Sequence, residues 1–313
     1  MIARPLANAV FRACQILLFI WVPCAFASQP KTDFSLDEIA EGVFVHHGRH
    51  VDITHVERGD SANIGFVVGT QCVAVIDSGG AISTGRALLS VIENQTSVPV
   101  CYVINTHVHF DHVLGNAAFS HLNVDFVGHS NAIGAMTASR AYFQEEFSHE
   151  LTSDNSNVVI APTVIVDDHL RLELGERTLL LEAHARSHSD TDLTVLDKKT
   201  STLFTGDLVF VDRLPIIDGE LRAWVRWLET YRRKPFARIV PGHGPSNTPW
   251  PDGGEAIAQY LQTLVTDGRA AIRNGVFLED AMGSMSYEAA KPWLVNERHP
   301  RNVSRAFREL EWE

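Results

Sequence analysis

Beyond residue 40 the chain opens with short apolar runs separated by turns: Gly42-Val43-Phe44-Val45, Asn63-Ile64-Gly65-Phe66-Val67-Val68 and Cys72-Val73-Ala74-Val75-Ile76. Runs this short, rich in β-branched side chains, read as neighbouring strands of an antiparallel sheet. Over 83–94 the period changes, with Ala87, Leu88, Val91 and Ile92 at helical spacing. Residues 100–104 are again strand-like, so a β-α-β unit delivers the chain to Asn105, at the carboxyl end of a strand, where α/β proteins build sites. The polar stretch 131–155, with Tyr142, Phe143 and Phe147, reads as a helix and either as a flap over a site or as a plain surface helix. A second set of strands is expected over 158–183, 193–196 and 202–204, and amphipathic helices over 220–233 and 255–274. Strand-helix-strand order thus occurs once in each half. No linker divides the halves, which predicts one α/β domain over 28–313, with its motifs within about 40–250 and a helical part over 251–313.

The first residues break this pattern. Arg4 and Arg12 precede the apolar run Ile16-Leu17-Leu18-Phe19-Ile20-Trp21-Val22, and Ala25-Phe26-Ala27 follows Pro23. A basic flank, an apolar run too short to span a bilayer and an A-x-A site describe a secretory leader over 1–27, cleaved before Ser28. The expected location is periplasmic or secreted, with no membrane attachment once the leader is gone. Lys and Arg number 26 against 38 Asp and Glu, a formal charge of −12, and losing Arg4 and Arg12 takes it to −14. Such a surface repels nucleic acid and anionic lipid and leaves a small molecule as the expected substrate. The two cysteines beyond the leader, Cys72 and Cys101, fall in separate strand-like runs. They read as buried free thiols, with pairing in an oxidising compartment as the alternative.

The chemistry is concentrated in Thr106-His107-Val108-His109-Phe110-Asp111-His112. On an extended segment His107 and His109, at i and i+2, point the same way, as a chelating pair must. Asp111 and His112 follow where a turning backbone can aim them at a second ion. Further candidates stand at strand ends beside small residues: His188 in Ser187-His188-Ser189-Asp190, Asp207 in Phe204-Thr205-Gly206-Asp207, and His243 in Pro241-Gly242-His243-Gly244. His184 competes with His188, which has the better turn context in Ser189 and Asp192.

In this series, and in Val75-Ile76-Asp77-Ser78-Gly79-Gly80 before it, the chain resembles the metallo-β-lactamase superfamily over about residues 40–250. The resemblance implies a four-layer αβ/βα sandwich with a site at the edges of two sheets and a structural role for Asp77. It implies one zinc on His107, His109 and His188, a second on Asp111, His112 and His243, and Asp207 bridging them. Two Zn2+ per chain are therefore expected, with iron or manganese as alternatives. Two close cations lower the pKa of a shared water from about 15.7 towards 7, so a bridging hydroxide attacks a carbonyl at neutral pH, with Asp111 as the acid/base group. Asp207 matches the glyoxalase II-like branch. Within the superfamily the sequence more closely resembles the periplasmic zinc metallohydrolases that accompany quinoprotein and sulfur-oxidation systems, through 103–113 and 204–215, a resemblance that implies a quinoprotein system as a candidate partner.

The expected activity is hydrolysis of a thioester, ester, lactone or β-lactam. The alternatives are a persulfide dioxygenase-like oxidation at one iron and a non-catalytic metal-binding partner of a quinoprotein system. His129 is expected as a partner of a ligand or as a surface histidine, Arg213 as a carboxylate binder or a solvated loop residue. His46, His47, His50 and His55 form a loose cluster whose spacing fits no metal motif.

Overall fold

In the computed structural model, which describes residues 1–2, 34–152 and 159–313, the chain divides into Met1–Asp33 and a second unit, Phe34–Glu313. The expected leader, apart from its first two residues, and the end of the 131–155 segment lie outside the described residues. Among the described residues no helix is long and apolar enough to cross a membrane.

The second unit is built on two sheets. The first has seven strands in sequential order: β1 (Asp37–Ala40), β2 (Val43–His46), β3 (Ile64–Val68), β4 (Val73–Ile76), β5 (Val100–Ile104), β6 (Asp125–His129) and β7 (Val164–Val166). Pairing is antiparallel from β1 to β4 and parallel from β4 to β7. Helix α1 (Ile82–Gln95) is the crossover between parallel β4 and β5, as the periodicity predicts, and α2 (Phe110–Val113) and α3 (Ala132–Glu146) follow. The second sheet contains β8 (His169–Glu173), β9 (Thr178–Ala183), β10 (Leu193–Asp197), β11 (Thr202–Phe210) and β12 (Arg238–His243). Helix α4 (Leu221–Tyr231) crosses over between parallel β11 and β12, and α5 (Glu255–Arg273), α6 (Leu278–Ser284), α7 (Tyr287–Ala290) and α8 (His299–Leu310) complete the chain.

Two expectations are corrected. The stretch expected as one set of strands over 158–183 is split, for β7 extends the first sheet and only β8 and β9 join the second. Cys72 and Cys101 are not free buried thiols: they are half-buried and form a disulfide, with Cα atoms 5.5 Å apart. The reason is pairing order. The runs that hold them are adjacent in the sheet, Val73 lying beside Val100, a neighbourhood that separation along the chain conceals.

The inner faces of the sheets meet through Val43, Val45, Ile76, Ile104 and Val127 on one side and Leu179, Leu181, Leu193, Val195 and Phe204 on the other. The outer face of the first sheet is covered by Leu88, Leu89 and Ile92 of α1, and that of the second by Trp224, Leu228, Leu261, Leu264 and Phe307 of α4, α5 and α8. This is the four-layer αβ/βα sandwich. Strands β4 and β11 are buried throughout, β5 and β12 towards their carboxyl ends, and the four end at one edge, where polar residues replace apolar ones.

Candidate metal centre

At that edge Asp77 follows β4 with φ +55°. A non-glycine residue there is strained, and three hydrogen bonds hold it. The Thr106 backbone N–H donates to Oδ1 at 2.8 Å, the Thr106 hydroxyl to Oδ2 at 2.7 Å, and His112 Nδ1 to Oδ2 at 2.7 Å. Asp77 thereby pins the start of the histidine motif and orients His112, in keeping with the structural role the resemblance implies. Extended backbone at His109 turns into α2, which carries Asp111 and His112. Asp207 lies on β11 after Gly206 (φ +50°), and His243 ends β12. Gly242 lies against Asp207, and a Cβ at 242 would overlap Asp207 Oδ1, so the approach of β12 to that carboxylate requires glycine.

All seven candidates converge into two groups: His107, His109, His188 and Asp207; and Asp111, His112 and His243. His109 Nδ1 lies 3.0 Å from both His107 Nε2 and His188 Nε2. Asp207 faces both groups. Its Oδ2 is 3.6 Å from His107 Nε2 and 3.4 Å from His188 Nε2, while Oδ1 is 3.2 Å from His112 Nε2 and 3.4 Å from His243 Nε2. Asp111 Oδ2 lies 3.5 Å from His243 Nε2.

The remote nitrogens show what the converging ones can do. His188 Nδ1 donates to the Ile216 carbonyl at 2.8 Å, His243 Nδ1 to the Ser61 carbonyl at 2.8 Å, and His109 Nε2 faces Asp218 Oδ2 at 3.2 Å. Each proton being spent outward, the inward atoms of the neutral rings are lone pairs. His188 Nε2 and His109 Nδ1 then repel at 3.0 Å, and buried His112 Nε2 and Asp207 Oδ1 have no hydrogen-bond partner. Acceptors that face only acceptors fit a cation: tetrahedral bonds of 2.0–2.1 Å put ligand nitrogens about 3.3 Å apart. Burial, reinforced by the neighbouring imidazoles, holds His107 well below its ordinary pKa and, with His109 beside it, takes His188 to about 4, so both are neutral ligands at working pH. Burial opposes ionisation of Asp207, but the surrounding histidines, His243 and His112 foremost, outweigh it and hold the carboxyl well below the usual range.

Two residues that sequence reasoning passed over support the groups. Ser61 serves the second, its hydroxyl donating to Asp111 Oδ2 at 2.8 Å while its carbonyl takes the His243 proton. Asp218 serves the first and is tied to α8 through Arg301 and Arg305. Around it the Asp218 and Gly219 amides donate to the His188 carbonyl, and Asn302 of α8 bonds the Ile217 amide and the Pro215 carbonyl. Their sequence settings, Gly-Asp-Ser and Asp-Gly, signal only turns.

The remaining candidates lie elsewhere. His184 bonds Thr194 Oγ1 at 2.9 Å beneath Trp227 and Tyr231, away from both groups, and burial pushes it down to about 4. His129 Nδ1 accepts from the Asn131 amide and belongs to neither group. His46 bonds Ser35 and Asp60, and among the described residues no third group has ligand spacing. Arg213 is not a solvated loop residue: only 8% exposed, it stands beside His243. A cavity of about 430 Å³ opens onto the cluster, walled by Ile53, Phe110, Tyr142, Phe143 and Val295. Helix α3 therefore contributes a wall of the cavity through Tyr142 and Phe143.

The family model for the Metallo-beta-lactamase superfamily matches residues 58–243. The chain is 28% identical over 218 residues to the acyl-coenzyme A thioesterase MBLAC2 of Homo sapiens, covering 60% of this chain and 74% of that protein. Among solved structures, a metallo-beta-lactamase from Pontibacter korlensis superposes with a TM-score of 0.58 at 20% identity, over 73% of this chain and 99% of that one. The stereoselective inverting sec-alkylsulfatase Pisa1 from Pseudomonas sp. gives 0.62 at 16%, over 90% of this chain and 51% of that one. At such identities the likeness to the two structures is one of fold.

Proposed function

Given that this chain belongs to the metallo-beta-lactamase superfamily and is a hydrolase of that family, we propose that it is an exported, dinuclear zinc enzyme that cleaves acyl thioesters. The observation that carries the two-ion reading is the Asp207 carboxylate, one oxygen turned to each histidine group. In this reading His107, His109 and His188 would hold one ion and Asp111, His112 and His243 the other, with Asp207 available to both. Two divalent ions bound there supply Lewis acidity and make water acidic enough to ionise near neutral pH.

The chain's own residues do the rest. Asp111, steadied by the Ser61 hydroxyl on Oδ2, keeps Oδ1 to take the proton of the attacking water and return it to the leaving thiolate. Phe110, Tyr142 and Phe143 line one side of the cavity and offer an apolar surface to the acyl chain. The thioesterase named among the relatives supports thioesters over the esters, lactones and β-lactams that the same site chemistry admits. The Cys72–Cys101 disulfide supports export, since such bonds persist in oxidising compartments.

The test is metal analysis beside turnover. Purified protein is expected to hold two zinc ions and to release thiol from acyl thioesters faster than it opens lactones or β-lactams, with mature chains starting at Ser28. Asp207→Ala should lose one zinc preferentially and move the pH optimum upward. Two zinc ions and an unchanged profile in that variant, or one iron in the native protein, would refute the dinuclear zinc reading.

A further inference from the structure

Three arginines line the cavity over the metal cluster, and two are already neutralised. Arg298 Nε and Nη2 each lie 2.7 Å from a carboxylate oxygen of Asp52, and Arg301 is paired with Asp218. The third, Arg213, has no carboxylate within ion-pair distance among the described residues, although it is only 8% exposed and the protein carries a net charge of −12. Among the described residues its one side-chain neighbour at hydrogen-bond distance is His243 Nδ1, 3.0 Å from Nη1. That nitrogen has a single N–H, directed at the Ser61 carbonyl 2.8 Å away. With Nε2 kept for a cation the proton sits on Nδ1, which then offers no lone pair to the guanidinium. The nearby Asp111 carboxylate feels the Arg213 charge but lies beyond ion-pair distance, and a buried cation without a paired anion is costly unless something else supplies the charge.

The backbone aims this side chain. The Arg213 amide donates to the Val211 carbonyl, and on either side the Leu294 amide donates to the Asp212 carbonyl and the Leu214 amide to the Leu294 carbonyl. With the main chain held at both flanks, the guanidinium is placed by a rigid element rather than by a free loop. It faces the cavity one imidazole ring away from the second group of ligands, with Phe110, Tyr142 and Phe143 also on the cavity wall.

We propose that Arg213 is the recognition point for a carboxylate on the substrate, carried within a few bonds of the cleaved carbonyl. The proposal rests on the hydrolase reading above and narrows it from acyl thioesters to those of short dicarboxylic acids or of similar anionic acyl groups. One guanidinium fork matches one carboxylate in charge and in bidentate geometry. A phosphate dianion would need a second free cation, and the other two arginines of the cavity are taken.

The test uses a matched pair of phenyl thioesters, pentanoyl and glutaryl, which differ in a terminal methyl against a carboxylate and release the same thiol. Zinc-loaded wild-type enzyme is expected to prefer the glutaryl compound in kcat/KM. In Arg213→Ala that preference should fall on the order of a hundredfold, and Arg213→Lys should retain part of it. Lost folding or lost zinc lowers both rates and leaves their ratio where it was, and an unchanged ratio overturns the proposal, as does a wild type without preference. If zinc-loaded wild type cleaves neither compound, the thioesterase reading fails. Recognition is then read from calorimetric binding of glutarate, where equal affinity in wild type and Arg213→Ala overturns it and weaker binding in the variant supports it.

Discussion

Replacing Asp218 with asparagine isolates what a carboxylate behind a ligand contributes. Asp218 Oδ2 stands 3.2 Å from His109 Nε2, and its other oxygen meets Arg301. Burial alone would raise its pKa, but the hydrogen bond from His109, with the Arg301 guanidinium, holds it well below the usual carboxylate range, so it is an anion at every working pH. Asparagine keeps the volume and one acceptor but loses the charge that makes His109 Nδ1 basic. Outer-shell carboxylates of this kind change metal affinity 10- to 100-fold, about 1.4–2.7 kcal/mol. With the side chain one-quarter exposed, the lower half of that range is expected. Arg301 and Arg305 lose their counter-charge, yet both side chains are more than 40% exposed, so the fold should lose little. Zinc affinity, measured by competition with a chromophoric chelator, should weaken for one ion and not the other, while the urea midpoint of the metal-free protein stays put. Equal affinity of wild type and Asp218→Asn for both ions would show that the contact does not tune the ligand.

Removing the disulfide with Cys72→Ser and Cys101→Ser together should destabilise the protein by roughly 3–4 kcal/mol, as loop-closure entropy gives for a sequence separation of 29. A denaturation midpoint equal to that of the oxidised wild type would contradict this. His184 provides a pH signature, because its pKa is about 4 in the fold against an ordinary 6.5. Between those values the unfolded chain binds a proton that the folded chain refuses. The contribution, ~3 kcal/mol, is therefore complete above pH 6.5 and lost as the pH falls towards 4. Urea midpoints at pH 7.5, 6 and 5 should fall less steeply in His184→Gln, and parallel slopes would rule out the assignment.

Most of the cluster could be read from the chain because each ligand follows a local rule. His107 and His109 are spaced for one face of an extended segment, and His243 closes its strand beside glycine, whereas Asp207, expected at a strand end, lies within β11 after Gly206. The crossover helices were equally legible, since the period of Ala87, Leu88, Val91 and Ile92 is that of a helix. What escaped depends on which distant segments become neighbours. The Cys72–Cys101 bond needs β4 and β5 side by side, and β7 needed a sheet assignment that no local pattern encodes. Asp218 and Ser61 sit in ordinary turns and acquire their roles only when the turns close on His109, His243 and Asp111. Arg213 read from the sequence either as a carboxylate binder or as a solvated loop residue, and only the fold shows it buried beside His243.

The tie between α8 and the 215–219 segment has a consequence for how this protein can be broken. The stretch matched by the family ends at His243, yet Arg301, Asn302 and Arg305 secure the turn that backs His109 and His188. A premature stop near residue 298 would spare all seven ligands and still loosen the frame behind two of them. The same holds for a fragment trimmed to the matched portion and expressed as a minimal enzyme. Its sequence would advertise a complete metal site that the polypeptide could no longer hold in shape.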